Sequence, residues 1–133
     1  AAAALGTRPA RSIATAVAQA QRLSGRDRRP VFLTLSARGM VACVDGEAQH
    51  IPGFPIIDRP IDPVGAGDST TAALVCCLAA GATPLEAALV ANLVGSITVQ
   101  QIGTTGTATP TQLRRRWKEI AHGDSQSYNG EVT

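Results

Sequence analysis

The Asp45-Gly46 dipeptide constrains the fold of this chain more than any other short stretch, because it separates two β-prone runs. Residues 40–44 precede it and residues 47–51 follow it. An Asp-Gly pair between two such runs favours a two-residue turn with positive φ angles, which predicts a β-hairpin. Residues 31–35 form another short apolar, β-prone run and predict a buried strand just before the hairpin.

Helical patterns lie on both sides of this hairpin. Residues 12–23 predict a helix with Ser12 as N-cap and with one apolar stripe: Ile13, Ala16, Val17, Ala20 and Leu23. Residues 25–30 then predict a charged, solvated loop. After the hairpin, residues 66–80 predict a helix rich in Ala, Leu and Cys, with Gly81 just beyond its C-terminus.

Two further helix starts carry the capping-box pattern, in which a Thr is followed three residues later by Glu or Gln. Thr83 and Glu86 open a predicted helix that runs to about residue 101. Thr109 and Gln112 open a last helix that runs to about residue 121. Residues 122–133 are polar and are predicted to form a flexible tail.

This order of elements is typical of part of an α/β domain rather than a whole one. Only one strand is clearly buried, while two helices carry small residues on one face: Ala72, Val75 and Ala79 on the first, and Ala91, Gly95 and Thr98 on the second. We expect these faces to pack on each other or on a sheet. We expect the missing strands in another chain or in a removed N-terminal half.

Composition excludes several classes of function. A length of 133 residues suits one domain, and a hydrophobic fraction of 44% is sufficient for a core. The net charge of +2 and the scarcity of aromatic residues argue against nucleic-acid and membrane partners. The small-residue start lacks the features of a signal peptide. Cys43, Cys76 and Cys77 are expected to be small buried residues in a reducing compartment, so we expect a cytoplasmic protein.

The segment from Asp62 to Thr70, DPVGAGDST, carries the clearest chemical signal. The backbone N–H groups at a helix start have no partners within the helix, and the helix dipole adds positive charge there. Glycines let an anion approach these N–H groups closely. Gly65, Ala66 and Gly67 therefore form a candidate oxyanion cradle.

Asp68 follows this turn directly and is expected to be ionised beside the helix dipole, which suits a proton acceptor. A base that orients a substrate hydroxyl next to a phosphoryl group fits phosphoryl transfer, in which positioning and charge stabilisation dominate. The same residues also fit a tight strand-to-helix turn in which Asp68 only complements the dipole, and the bare pattern does not choose. The segment matches neither a Walker loop nor a dinucleotide fingerprint.

Residues 62–68 resemble the C-terminal signature of the ribokinase-like (PfkB) carbohydrate kinases, an Asp followed by two variable residues and Gly-Ala-Gly-Asp. The resemblance extends from about residue 12 to 120 and includes segments 33–40, 44–46, 91–99 and 103–104. It implies the C-terminal part of a three-layer α/β/α fold, with the whole chain forming the nucleotide-side portion of the kinase domain. Residues 71–74 and 106–110 look most like the heptose-7-phosphate kinase branch, although Ser69 and Thr70 stand where many relatives have Ala-Phe.

The resemblance also implies roles for individual residues. Asp68 would be the catalytic base and Gly65, Ala66 and Gly67 the anion hole. ATP would lie near Thr34, Ser36, Gly39 and Asn92, although Asn92 alone also fits a surface amide on a helix. Asp62 and the carbonyl of Val64 match the monovalent-cation site, for K⁺, that some members carry. Asp62 equally fits a turn-forming residue before Pro63.

The implied activity is ATP-dependent, Mg²⁺-assisted phosphoryl transfer to a sugar or sugar phosphate. The sugar-binding residues, the lid and an Asn-x-x-Glu motif linked to Mg²⁺ belong to the family's N-terminal half and do not occur here. We therefore expect the chain alone to be inactive. Two other classes stay open: a non-catalytic module that binds a nucleotide or a partner, and a structural fragment that forms a homodimer through apolar faces.

Overall fold

The computed structural model describes residues 1–56 and 59–127. The helices are α1 (Ala2–Leu5), α2 (Ile13–Asp27), α3 (Ala66–Ala79), α4 (Pro84–Thr98) and α5 (Pro110–Ser127), with a short 3₁₀ turn at Ser36–Arg38. The strands are β1 (Val31–Thr34), β2 (Met40–Val44) and β3 (Glu47–Ile51). Every predicted helix and strand is present, and α1 and the 3₁₀ turn are additions that the sequence did not indicate.

The three strands form one antiparallel sheet in the order β1-β2-β3. The predicted hairpin is confirmed, because Val44 pairs with Glu47 and the intervening Asp45 and Gly46 have φ angles of 51° and 84°. Both angles are positive, as a two-residue turn that follows the twist of the strands requires.

Helices cover both faces of this sheet, so the described part of the chain has three layers. On one face, Ala16 and Ala20 of α2 pack against Val41 and Cys43 of β2. On the other face, Ala88 and Ala91 of α4 pack against Met40, Ala42 and Ile51, with Ala73 and Leu74 of α3 at the margin. The mixed α/β class predicted from the sequence is therefore observed.

The most buried strand is β2 rather than β1. Four of the five β2 residues are buried, whereas Val31, Phe32 and Leu33 of β1 are only partly covered and Thr34 is exposed. The prediction of a buried strand at residues 31–35 was wrong in this respect, because β1 pairs with a neighbour on one side only within the described residues. An apolar run does not tell an edge strand from a central one.

The predicted helix caps are present. The Ser12 hydroxyl accepts a hydrogen bond from the Thr15 N–H at 3.1 Å. In the two capping boxes, the Glu86 carboxylate accepts from the Thr83 N–H at 2.8 Å, and the Gln112 amide oxygen accepts from the Thr109 N–H at 2.8 Å. Gly81 adopts a φ of 89°, which turns the chain at the end of α3 as predicted.

Helix ends and one packing face differ from the predictions. α2 runs to Asp27 and α5 to Ser127, so the predicted loop at 25–30 and tail at 122–133 both begin with helical residues; residues 128–133 lie outside the described part. Ala91 and Thr98 are buried as expected, whereas Ala72, Val75 and Ala79 of α3 are exposed. α3 is apolar around most of its circumference, so its sequence does not single out the face that packs.

The cysteines divide in the same way. Cys43 is buried in β2 as predicted, but Cys76 of α3 is exposed and Cys77 is only half-buried. All three thiols are free. Among the described helices, none combines the length and the apolar character needed to cross a membrane.

Candidate active site

The glycine turn places unpaired backbone N–H groups at the start of α3. Gly65 is the N-cap with a φ of 78°, and the Ala66 N–H donates to the Pro63 carbonyl at 3.2 Å. The N–H groups of Gly65, Gly67 and Asp68 have no acceptor among the described residues. The predicted cradle is thus open at Gly65 and Gly67, whereas the Ala66 N–H is already used within the turn.

Asp68 lies in the first turn of α3, directly beside these N–H groups. Its side chain is exposed and has no hydrogen-bond or ion-pair partner within the part of the chain that the structure describes. A carboxylate that is held on a rigid helix and makes no internal contact is free to accept a proton from a bound molecule. The chemistry predicted for Asp68 is therefore sterically open.

Asp62 ties the glycine turn to the loop that follows α4. One carboxylate oxygen accepts from the Val64 N–H at 3.0 Å, and the other accepts from the Gly103 N–H at 2.9 Å. The Asp62 N–H in turn donates to the Val99 carbonyl at 2.6 Å. The bond to Val64 is the turn-forming contact that the sequence allowed, and the bond to Gly103 lies outside any local pattern.

These contacts also set the protonation of Asp62. The N–H of Gly103 and, to a smaller extent, that of Val64 hold the pKa of the Asp62 carboxyl below its ordinary value, because both bonds stabilise the ionised form. Asp62 is therefore an anion at neutral pH. The carbonyl oxygen of Val64 accepts no hydrogen bond from the described residues, so one carboxylate and one open carbonyl lie together at this point.

A second connection between the turn and the same loop was missed at the sequence level. The Ser69 hydroxyl lies 2.8 Å from the carbonyl oxygen of Gly106 and 3.2 Å from that of Gly65. Gly65 itself packs closely against Thr105, where an added Cβ would lie 3.1 Å from the threonine methyl group. The available signal was that a serine stands where many relatives have alanine.

The residues predicted to surround a nucleotide meet at one end of the sheet. Thr34, Met40 and Ile51 form one row across the three strands, and Gly39 lies next to Met40. Gly39 is buried with a φ of 86°, and a Cβ there would collide with the Ile51 carbonyl and the Gly53 N–H. Thr34 and Ser36 are exposed at this end of the sheet, where a ligand has access to them.

Asn92 is buried in α4, and its amide group holds the segment that leaves β3. The side-chain nitrogen donates to the Ile51 carbonyl at 3.0 Å and to the Pro52 carbonyl at 3.1 Å. Both amide hydrogens are therefore used internally, and the contact open to a ligand is the amide oxygen. Asn92 thus fixes residues 51–52, against which Gly39 packs. The sequence alone did not indicate this role.

The predicted residues form two groups joined by α4. Asn92 belongs to the group at the sheet end, and Val99, just beyond the end of α4, bonds Asp62 in the group at the glycine turn. Val99 follows Asn92 by seven positions, which corresponds to a rise of about 10 Å along the helix. The structure brings together Thr34, Ser36, Gly39 and Asn92 on one side and Asp62, Val64 and residues 65–68 on the other.

One partly buried cation, Arg116 of α5, was also missed. Its guanidinium donates to the Pro55 carbonyl at 2.6 Å and to the Ser96 hydroxyl at 3.3 Å. Next to it, the rings of Phe54 and Trp117 meet edge to face with centroids 6.4 Å apart. These contacts hold residues 54–55 between α4 and α5, beside the segment that Asn92 holds.

A groove with a volume of about 400 Å³ lies elsewhere, between residues 7–11 and α2. It is lined by Arg8, Arg11 and Arg22, none of which forms an ion pair with a described residue. α2 covers the opposite face of the sheet from α3 and α4, so this groove is separate from the glycine turn. We interpret it as a solvated cationic face.

Comparison with solved structures defines the fold class. The chain superposes on Arabidopsis thaliana ribokinase complexed with ribose and ATP with a TM-score of 0.69, at 21% identity, covering 83% of this chain and 36% of that one. For Escherichia coli phosphofructokinase-2 in complex with potassium, the TM-score is 0.73 at 17% identity, covering 88% and 37%. The described structure is therefore a mixed α/β arrangement that aligns with part of the ribokinase-like fold.

Sequence comparison gives the family. Residues 2–112 match the family described as pfkB family carbohydrate kinase, and the chain belongs to that family. The bifunctional protein HldE of Trichlorobacter lovleyi is 37% identical over 98 residues, which covers 73% of this chain and 19% of that protein. The chain thus spans about a fifth of the length of the curated relatives it matches. The family resemblance seen in the sequence is confirmed.

Proposed function

We propose that this chain supplies the anion hole, the catalytic base and the nucleotide site for ATP-dependent phosphoryl transfer to a hydroxyl of a sugar or sugar phosphate. The observation that carries the proposal is the unpartnered Asp68 carboxylate next to the free N–H groups of Gly65 and Gly67. Family membership supports a sugar acceptor. The match to HldE, together with the heptose-7-phosphate kinase resemblance, supports a sugar phosphate in particular.

In this proposal the oxygen of the attacking sugar hydroxyl bonds to the γ-phosphorus of ATP. Asp68 accepts the proton that this hydroxyl loses. The bond from that phosphorus to the ADP oxygen breaks at the same time, and the electron pair leaves with ADP. The N–H groups at the start of α3 stabilise the negative charge on the transferred phosphoryl oxygens. Asp68 acts as a proton acceptor, and its position next to the phosphoryl group provides the selectivity.

The proposed nucleotide site lies at the sheet end, around Thr34, Ser36, Gly39 and Asn92. ATP in the solved structure of Arabidopsis ribokinase supports a nucleotide as ligand. The backbone of Gly39 packs directly against the backbone of residues 51–53, with no side chain between them. This contact makes a rigid surface on which a base can lie.

A monovalent cation is proposed next to Asp62. The carboxylate and the open carbonyl of Val64 are hard oxygen donors of the kind that K⁺ prefers, and a carboxylate that already accepts two N–H groups keeps further lone pairs free. When bound, such an ion adds positive charge near the anion hole. Mg²⁺ is proposed to accompany ATP, and the described residues contain no group of three or more His, Cys, Asp or Glu that would hold it by themselves.

The decisive test is Asp68→Asn in the complete protein, assayed with ATP against a panel of sugars and sugar phosphates. We expect kcat to fall by about 10²- to 10⁴-fold, because the amide cannot accept the proton, while the affinity for ATP changes little. Asp45→Asn is a matched control, since Asp45 is exposed in the hairpin turn away from α3. Equal turnover in Asp68→Asn and the wild-type protein would remove Asp68 from the mechanism.

A further inference from the structure

We propose that Ser69 is a positioning residue, which holds the anion hole and Asp68 in register through its hydrogen bond to Gly106. This inference rests on the proposed phosphoryl-transfer function. Its central observation is the 2.8 Å distance from the Ser69 hydroxyl to the Gly106 carbonyl oxygen, which joins residues 37 positions apart. Ser69 follows Asp68 directly, so any rotation of this turn of α3 moves the carboxylate as well.

The hydroxyl of Ser69 has one proton and two candidate acceptors. The Gly65 carbonyl, one turn earlier, is 3.2 Å away and already accepts the Ser69 N–H at 3.1 Å. The Gly106 carbonyl is nearer, belongs to a buried residue and accepts no other hydrogen bond from the described residues. A buried carbonyl that lacks a hydrogen-bond partner is unfavourable. The Ser69 hydroxyl therefore donates its proton to the Gly106 carbonyl.

Gly106 is a fixed anchor because it is pressed against the end of α4. A Cβ at Gly106 would lie 2.8 Å from Thr98 Cβ and 2.9 Å from the Thr98 carbonyl oxygen, and Thr98 is almost fully buried. The next residue is held as well, because the Gln101 side chain accepts from the Thr107 N–H at 3.1 Å and donates to the Thr107 carbonyl at 2.7 Å. The loop therefore moves with α4, and Ser69 transmits that position to α3.

Asp62 and Ser69 act on the two sides of the glycine turn. Asp62 fastens the residues before it to Gly103, and Ser69 fastens the residues after it to Gly106. One attachment alone would leave the turn free to pivot about that point. Since the N–H groups of Gly65 and Gly67 lie between the two attachments, both are needed to fix their direction.

Thr71 provides a matched control on the same helix. Its hydroxyl donates to the Gly67 carbonyl at 2.9 Å, which is the same one-turn bond that Ser69 can make to Gly65, but it is exposed and reaches no other segment. Ser69→Ala and Thr71→Ala therefore remove equivalent helical hydroxyls. They differ in the bond to Gly106.

The first experiment uses hydrogen exchange and needs no substrate. In the complete protein we expect Ser69→Ala to raise amide exchange in residues 65–68 and 103–107, and Thr71→Ala to leave the loop unchanged. Ser69→Thr keeps the hydroxyl and is expected to restore wild-type exchange. If Ser69→Ala leaves exchange in the loop at the wild-type rate, the proposal is wrong.

The second experiment uses kinetics. We expect Ser69→Ala to lower kcat by about 10- to 100-fold with the KM for ATP within about threefold of wild type, because a displacement of about 1 Å at reacting groups has that effect. Ser69→Thr is expected to recover most of kcat, and Ser69→Cys, a weaker donor of similar size, to fall between. Equal kinetics for Ser69→Ala and Thr71→Ala would overturn the positioning role.

The two experiments separate this inference from the proposed function. If the wild-type protein phosphorylates no sugar in the panel, the kinase proposal fails, and the exchange result alone decides on Ser69. If Ser69→Ala does not fold, the comparison passes to Ser69→Cys against Ser69→Thr. Wild-type exchange and kcat in Ser69→Cys would then count against the proposal.

Discussion

Gly39 and Gly46 have similar φ angles but very different surroundings. Both have positive φ angles, 86° and 84°. A Cβ at Gly46 would meet nothing within 4 Å, whereas one at Gly39 would strike the backbone of Ile51 and Gly53. The sequence pattern identified Gly46 as a turn glycine and placed Gly39 between two predicted strands. The pattern could not show that Gly46 has free space around it while Gly39 packs against other backbone, because the atoms that a Cβ at Gly39 would strike lie 12 to 14 residues away.

We predict that Gly39→Ala is far more destabilising than Gly46→Ala. Both substitutions place alanine at a positive φ, a sparsely populated region that costs about 1–3 kcal/mol. Gly39→Ala adds a collision with backbone atoms that cannot move without opening the end of the sheet. Urea denaturation of the two variants checks this difference. Similar unfolding midpoints would show that the backbone around Gly39 can move to accommodate a Cβ at little cost.

At the scale of the elements, the hydrogen bonds of Asp62 link the start of α3 to the end of α4. The sequence predicted both helices and the Thr83 capping box, and it allowed a turn-forming role for Asp62, because these depend on residues within a few positions of each other. The bonds from Asp62 to Gly103 and from Ser69 to Gly106 span 41 and 37 positions. No local pattern encodes such a pair, and the family resemblance identified the region without its internal bonds.

We predict a pH-dependent effect of Asp62→Asn on stability. The folded-state pKa of Asp62 lies below its unfolded value, so its stabilising contribution is present above about pH 4 and is lost as the pH falls through the folded pKa. Asp62→Asn should therefore lower the thermal midpoint at pH 7. The gap to the wild-type protein should narrow towards pH 3.

Thermal unfolding between pH 3 and pH 7 measures this gap. Asp45→Asn serves again as the control, since it changes the same side chain at an exposed turn without these backbone bonds. A constant gap between Asp62→Asn and wild type across the range would mean that the charge of Asp62 is not what stabilises the link.

For the molecule as a whole, the core consists of two small-residue layers on either side of β2. Periodicity found the α2 stripe, because α2 has one apolar face. In α4, the small-residue positions Ala91 and Thr98 were correctly expected to pack. Periodicity failed for α3, whose apolar residues are spread around the helix, and for β1, whose position at the edge of the described sheet depends on pairing rather than on composition. The three-layer arrangement was predictable only through the resemblance to a known family.

We predict that Met40→Ala is among the most damaging substitutions in the core. Met40 is 1% exposed and packs between β2 and α4, where the neighbouring alanines offer no bulk to fill a cavity. The expected loss is about 2–5 kcal/mol in the free energy of unfolding. Leu85→Ala, at a position 42% exposed, is the control and should cost much less. Chemical denaturation compares them, and equal losses would contradict the packing.

The edge-to-face contact of Phe54 and Trp117 has a practical consequence. Trp117 is the single tryptophan of these 133 residues, and it is about half exposed, so its emission responds to changes in local polarity. Phe54 lies two residues beyond Pro52, whose carbonyl Asn92 holds. The chain therefore carries an intrinsic fluorescent reporter beside its proposed nucleotide site, and a titration can be followed by emission without attaching a dye.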